Sequence, residues 1–519
     1  MGAQLNNYDM VLAVSEDTIN NQFYLLFAEG VIDNSVDIKY APSNQALELN
    51  GTLNPPTVDM VLTPASPHQL DFNLSFASGT FTYMNYLQDP NKPQSADITG
   101  WQITFLVNLA QMTIDSTDPT GLKLSAGAQK ALDPYVGDAA FTVQTLFLDL
   151  DNVNLSTISV TAEGLKMQPT DPRYPWILAA LQQLVSSLKS SGNPYILTFH
   201  ASSNNPAQTN PQLPALAPTR VQFIANQYNY PGNLSTDHSN DGLSALCYLE
   251  MVGNDPFPYT DNNVPTFTWN PIPAAAVQGR MFIDVNTFNS GYIHNLVLPV
   301  LQQALGAAGN WAQSGNTWTL DYQTDDGNQN DGHGPVVGSD SDILDIYGKT
   351  SWETSCTVSL DITQSTPNAV TYSGSGYFFE RLDLYECPFG IWAHDAYTWT
   401  KLPFTFSLTI SAGASATLNV TFAPTQGTAQ QDSWENPVVK ITDAIAGLFT
   451  KSLQSQLDDL NNSWSNFDQA EFANFTSAAE QGFQGLSQQL ILPAPQQFYY
   501  SNVGLNSEYD LVLDVGFKS

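Results

Sequence analysis

Two acid-rich segments hold the residue types best suited to metal chemistry. Asp237, Ser239, Asp241 and Gly242 fall at the first, third, fifth and sixth places of a calcium-type loop. Hard oxygens there would ring a divalent cation, and the glycine would turn the chain. The twelfth place needs a bidentate acid and carries Tyr248 instead. The second segment, DDGNQNDGHGPVVGSDSD from Asp325 to Asp342, is dense enough in carboxylates to hold calcium, with Asp326 and Asp331 as its candidates. The plainer reading of both is a solvated loop, so neither a metal nor a cofactor is assigned.

Other catalytic patterns are missing. The histidines, His68, His200, His238, His294, His333 and His394, show no pairing at i, i+4 for zinc. There is no HExxH, GxSxG, phosphate-binding P-loop or GxGxxG pattern. The GSG at Gly374–Gly376 reads as a turn before a strand, and Cys247, Cys356 and Cys387 read as buried free thiols. Carboxylate pairs near aromatics, as in WAHDAYTW from Trp392, could serve a sugar, but such rings usually pack on sheet faces. The expectation is a protein that is not an enzyme, with carbohydrate chemistry the last of three readings.

Composition narrows the partners. Against 15 basic residues stand 49 acids, a net charge of -34. That field repels phosphate backbones, so no nucleic-acid partner is expected, and it opposes docking on anionic lipid. No apolar stretch approaches the roughly 20 residues of a transmembrane span. No basic region with a small-residue cleavage site marks a signal peptide. The expectation is synthesis in the cytoplasm and release, if any, by a non-classical route.

The elements that would position a site follow from local signals. VLAVSEDTINNQFYLLFAEG, from Val11 to Gly30, reads as a strand, a Ser15 N-cap, acids on the positive helix end, an apolar face of Phe23, Leu26 and Phe27, and a glycine stop. MFIDVNTFNSGYIHNLVLPV from Met281 repeats the pattern. Asn286 is its expected cap, Ile293, Val297 and Leu301 its face, and Pro299 an interruption. A second pair of matches, LPALAP from Leu213 and LPAP from Leu492, each leads into two strands at nearly the same spacing as the first pair. Two landmarks at one spacing imply an internal duplication.

Each half also holds long alternating strands, such as FNLSFASGTFTYMNYL and FTFSLTISAGASATLNVTF, and amphipathic helices at Trp176–Leu188, about 437–460 and Phe472–Leu490. The fold class is α+β: two pseudo-repeated domains, 1–262 and 263–519, each a strongly curved antiparallel sheet wrapped around long amphipathic helices. The apolar face of such a sheet needs a partner, and the helices supply it. Phe23, Leu26, Phe27, Ile293, Val297 and Leu301 then point inward, where they either fill a core or line a channel for an apolar ligand.

This order of parts resembles the tubular lipid-binding (TULIP) superfamily. More narrowly it resembles the accessory proteins of clostridial neurotoxin gene clusters, the OrfX group and their 47-kilodalton relative, and related bacterial insecticidal proteins. The resemblance rests on YDMVLAVSEDTINNQF at Tyr8, LAPTRVQFIANQY at Leu216 with DGLSALCYLEMV at Asp241, and LPAPQQFYYSNVGLNSEYDLVL at Leu492. It implies a non-enzymatic, toxin-associated or insecticidal protein that binds lipid or another apolar ligand, with a toxin chain as possible partner. The alternative it leaves is an interaction or structural component with a filled core and no lipid.

Overall fold

The run MVLAVS forms a strand, Met10–Ser15, buried along its whole length. Met10–Val14 is continuously apolar rather than alternating because both faces are covered. Ala245–Met251 pairs with one edge and Gly279–Ile283 with the other. The computed structural model describes residues 5–41, 47–60, 67–89, 91–119, 121–150, 153, 158–204, 216–229, 239–325, 336–339, 345–360, 368–386, 393–413, 418–435, 443–468, 490–494 and 497–518. The chain divides into two compact units. The first is Met1–Phe288, Ala414–Thr417 and Gly482–Ser519; the second is Asn289–Gly413 and Leu418–Gln481.

In the first unit the six-stranded sheet runs Arg220–Asn226, Ala245–Met251, Met10–Ser15, Gly279–Ile283, Leu511–Lys518, Gln497–Leu505. The order is palindromic in the sequence landmarks. The two strands opening the repeated patterns lie side by side at the centre, and the strands that follow LPALAP and LPAP lie at the two outer edges. A division at residue 262 thus runs between members of one sheet.

Ser15 ends the central strand and caps the helix Glu16–Ala28, its side-chain oxygen accepting from the Thr18 N–H at 3.2 Å. Gly30 adopts φ 74 just past the helix end, a left-handed conformation open to glycine. At the second copy the cap is Asp284 rather than Asn286. Its Oδ1 accepts from the N–H groups of Asn286 (2.9 Å) and Thr287 (3.1 Å). The helix then passes through a π segment, Asn289–Val297, into the α segment Leu298–Ala304. Pro299 lies in the first turn of that α segment, directly after the π segment.

The same unit holds an eleven-stranded sheet with the main order Ser35–Lys39, Glu48–Leu53, Gln69–Met84, Gln102–Ile114, Phe141–Asp149, Ile196–Ser203, Leu490–Ile491. The long strand Gln69–Met84 pairs through its first half with Gln102–Ile114 and through its second with Glu48–Leu53 and Pro93–Asp97. Near the change of partners Gly79 faces Gly51, next to a bulge. A Cβ on Gly51 would stand 2.6 Å from the Ser78 carbonyl oxygen. The backbones approach more closely than side chains allow, and bulges of this kind bend a sheet. The helix Tyr174–Ser191 packs beside Ser35–Lys39 and buries Ile177, Ala180, Leu181 and Leu184.

The second unit is built on an eight-stranded sheet with the main order Ala312–Ser314, Thr317–Asp325, Asp345–Leu360, Ala369–Glu386, Ala393–Ala412, Leu418–Gln426. The helix Asp443–Asp468 lies on the two longest strands. Every named strand pairing is antiparallel, one sheet is curled strongly into a half-barrel, and helices are few among the described residues. The expected helix at Phe472–Leu490 falls almost wholly outside the described residues, and Leu490 itself begins a strand.

Candidate functional site

The six apolar residues singled out above lie on two helices, one triplet in each unit. In the first unit Phe23 and Leu26 are buried and Phe27 is half-buried. The Phe23 ring meets Tyr195 edge-on at 6.2 Å, and Tyr195 meets Phe72 at 4.7 Å. The stripe therefore faces aromatic side chains carried by the eleven-stranded sheet and the turn before its last long strand. In the second unit Ile293, Val297 and Leu301 are buried. Beside them Asn289 accepts a hydrogen bond from the Tyr372 hydroxyl at 3.2 Å, tying the π segment to the strand Ala369–Glu386.

The inner face of the eight-stranded sheet is an aromatic wall. Phe404 lies 5.2 Å from Phe378, and Phe406 lies 5.2 Å from Phe422. The helix sets Phe467 into this wall, 4.8 Å from Phe404 and 5.9 Å from Phe422. Gly374 and Gly376 make the room. A Cβ on Gly374 would stand 1.9 Å from the Phe406 ring, and one on Gly376 2.2 Å from the Ser355 carbonyl oxygen and 2.6 Å from Phe404. The GSG is thus mid-strand in Ala369–Glu386 and not a turn, because its glycines house the rings of the neighbouring strand.

One helical stretch further along, the contact between helix and sheet becomes polar. The Thr398 and Ser452 hydroxyls lie 3.1 Å apart. Gln456 donates to Thr398 Oγ1 at 3.2 Å and accepts from the Thr400 hydroxyl at 3.1 Å. Thr398, Thr400 and Gln456 are all buried. Buried polar groups keep their hydrogen bonds, and each bond adds only about 1 kcal/mol net over its bonds to water.

The opposite face of this sheet is open and carries a depression of about 440 Å³. Ser359, Ser373 and Ser407 form one cross-strand row in it; Thr357, Ser375, Thr405 and Thr425 form the next. None of its lining residues is acidic, basic or histidine. It can hydrogen-bond a polar ligand but offers no acid or base. Beyond it on the same face Phe379 lies 5.9 Å from Trp399, and the Arg381 guanidinium sits 4.2 Å over Tyr397. WAHDAYTW thus belongs largely to a sheet strand, Ala393–Ala412.

A buried polar pair was not legible in the sequence. His200 Nε2 lies 3.2 Å from Glu250 Oε1, joining the two sheets of the first unit. Thr198 and the Tyr248 hydroxyl form the next rung. Burial pushes the Tyr248 and Tyr500 phenols up, and Glu250 reinforces the shift of both. The available signal was an ionisable residue, Glu250, inside an otherwise largely apolar strand, which must find a partner when both faces are covered. Burial likewise raises the thiols of Cys247 and Cys356, the latter to about 12, as expected of inert core cysteines. Cys387 lies outside the described residues.

Of the metal candidates, Asp237, Asp326 and Asp331 lie outside the described residues. Asp241 opens a single 3₁₀ turn, Asp241–Leu243, at the start of the first helix, where Gly242 abuts the Asp17 carboxylate. Among the described residues no three His, Cys, Asp or Glu side chains gather as metal ligands. Glu16 is the most perturbed acid here. Burial pushes it up to about 8, against the N–H of Met60, which donates to it at 2.7 Å; Asp59, Asp241 and Asp17 add to the rise.

No family model matches the sequence, and neither does any curated protein. Among solved structures the chain is similar to P47 from Clostridium botulinum A2, at 13% identity and a TM-score of 0.47 over 100% of this chain and 99% of that one. P47 of Clostridium botulinum E1 gives 13% and 0.47 over 98% of each chain. A lipopolysaccharide binding protein gives 11% and 0.28 over 99% of this chain and 100% of that one.

Proposed function

We propose that this chain is a non-enzymatic protein that takes lipid or another apolar ligand against the apolar inner faces of its curved sheets. The observation that carries the reading is the mixed contact under the helix Asp443–Asp468. At one end it holds an aromatic wall, and at the other a polar seam of Ser452, Gln456, Thr398 and Thr400. Water can replace that seam at small cost, so the helix can part from the sheet there and admit an acyl chain to the rings. The toxin-associated or insecticidal role is the finer part of the reading. Its support is the set of sequence patches at Tyr8, Leu216 and Leu492 and the lack of catalytic signatures.

The Thr398–Ser452 contact supplies the test. A Thr398→Cys/Ser452→Cys variant of the full chain places two sulfurs within bridging reach across the seam. Titration with cis-parinaric acid should show saturable binding to the reduced variant and to the unaltered protein. Oxidation should reduce it at least tenfold, and dithiothreitol should restore it. Binding absent from both states would overturn the reading. It would favour the second one, an interaction or structural component with a closed core, which the burial of Phe467 among four other phenylalanine rings supports.

A further inference from the structure

Seven large hydrophobic side chains are exposed among the described residues, and only two are aliphatic: Leu87, 93% exposed, and Leu165, 75% exposed. Leu87 sits on a turn of the first unit, and Leu165 opens the short strand Leu165–Lys166 just after another. Leu87 belongs to the turn after Gln69–Met84. Asn85 closes that turn, its side chain accepting from the Leu87 N–H at 3.2 Å and its carbonyl from Gln88 and Asp89 at 3.0 Å. Leu165 follows a two-residue hairpin turn, Glu163–Gly164, with φ of 55 and 77. Positive φ at both positions is the tight turn that matches strand twist.

The start of the helix Tyr174–Ser191 brings the two turns to one end of the unit. Arg173 reaches Glu163 at 3.6 Å, and one helical turn on the Trp176 indole N–H donates to the Met84 carbonyl at 2.8 Å. Tyr86, itself 61% exposed, lies 6.0 Å from the Trp176 ring. The charges at this end balance, with Lys92, Lys166 and Arg173 against Asp89, Glu163 and Asp171. In a chain of net charge -34 the segments 85–92 and 163–173 thus sum to zero.

We infer that this end of the first unit docks on a phospholipid bilayer, with Leu87 and Leu165 as paired prongs. Convex prongs suit a fluid acyl layer, whereas a folded partner would have to offer a pocket for each. Tyr86 and Trp176 lie where aromatic rings favour the headgroup level, and Lys92 and Lys166 flank the prongs within reach of phosphates. Local neutrality lets the contact form on zwitterionic lipid despite the overall charge. The contact is peripheral, since no helix among the described residues is long and apolar enough to cross a membrane.

Flotation of the full chain with phosphatidylcholine vesicles tests the inference. The unaltered protein should float with the vesicles. Leu87→Ser and Leu165→Ser should each lower the bound fraction about tenfold, the effect of losing one buried leucine. Both side chains are solvent-exposed, so the variants keep the fold. Tyr509→Ser, exposed elsewhere in the same unit, should change nothing. The disulfide-stapled protein should float as well, so docking and ligand uptake can fail separately. Unaltered protein that stays off the vesicles, or a double serine variant that floats equally, overturns the inference. So does a tip-dependent dimer in sedimentation without vesicle binding, which would assign the prongs to a protein contact.

Discussion

Both large sheets place two glycines close together, and the two pairs do opposite things. In the first unit Gly51 and Gly79 face each other across neighbouring strands, and the obstacle to a side chain is backbone. In the second unit Gly374 and Gly376 lie along one strand; at Gly374 the obstacle is the Phe406 ring alone, and at Gly376 the Phe404 ring joins the Ser355 carbonyl. The first pair removes bulk so that a sheet can fold over itself. The second removes bulk so that aromatic side chains can lie flat on their own sheet. One residue type thus serves curvature in one unit and filling in the other.

The largest test of that contrast is Phe467→Ala. The ring closes the aromatic wall over the glycines, and its loss should lower the stability of the second unit by about 4 kcal/mol in urea unfolding. A loss below about 1 kcal/mol would mean that the wall holds together without the helix. Gly51→Ala comes next, at about 3 kcal/mol, because the Ser78 carbonyl and the Gly79 backbone cannot step aside. Gly374→Ala should cost less, about 2 kcal/mol, because a pinned ring can still shift. If Gly374→Ala proved the more costly of the two, the distinction between backbone and ring obstacles would fall.

The smallest effect per step measured is a slope in pH, and its sources lie in the first unit. Glu16 has its folded value raised from 4.5 to about 8. The folded chain keeps a proton that the unfolded chain has released, so the stabilisation is complete below pH 4.5. It is lost as pH rises to about 8, at no more than about 1.4 kcal/mol per pH unit. Asp9 and Asp510, raised by burial, act in the same direction. Glu16→Gln keeps an acceptor for the Met60 N–H and should flatten this part of the slope in thermal unfolding between pH 5 and 8. An unchanged slope would remove Glu16 as its source.

The parts legible in the sequence were those whose cause is local. Ser15 caps its helix because a hydroxyl at that spacing meets a free N–H three residues on, and this needs no knowledge of the rest of the chain. The stripe from Ile177 to Leu184 and the alternation in Gln69–Met84 are likewise carried by neighbours in sequence. The failures are non-local. Gly374–Gly376 resembles a turn until Phe404 and Phe406, on the next strand, are seen to cover it. His200 and Glu250 are ordinary scattered residues until two sheets bring them to 3.2 Å. Asn286 lost the cap to Asp284 because a carboxylate two residues earlier already serves the first free N–H groups. The prongs Leu87 and Leu165 carry no signal at all, since one leucine in a turn looks like any other until its exposure is known.

The palindromic sheet also sets the order in which its pieces become available. Its central strand, Met10–Ser15, leaves the ribosome first, yet its partners are Ala245–Met251 and Gly279–Ile283, and the flank is finished only by Leu511–Lys518 and Gln497–Leu505. Most neighbours in the eight-stranded sheet, by contrast, follow one another along the chain. The unit that holds the earliest of these strands is therefore the one that must wait, that strand in need of shelter until its later partners arrive.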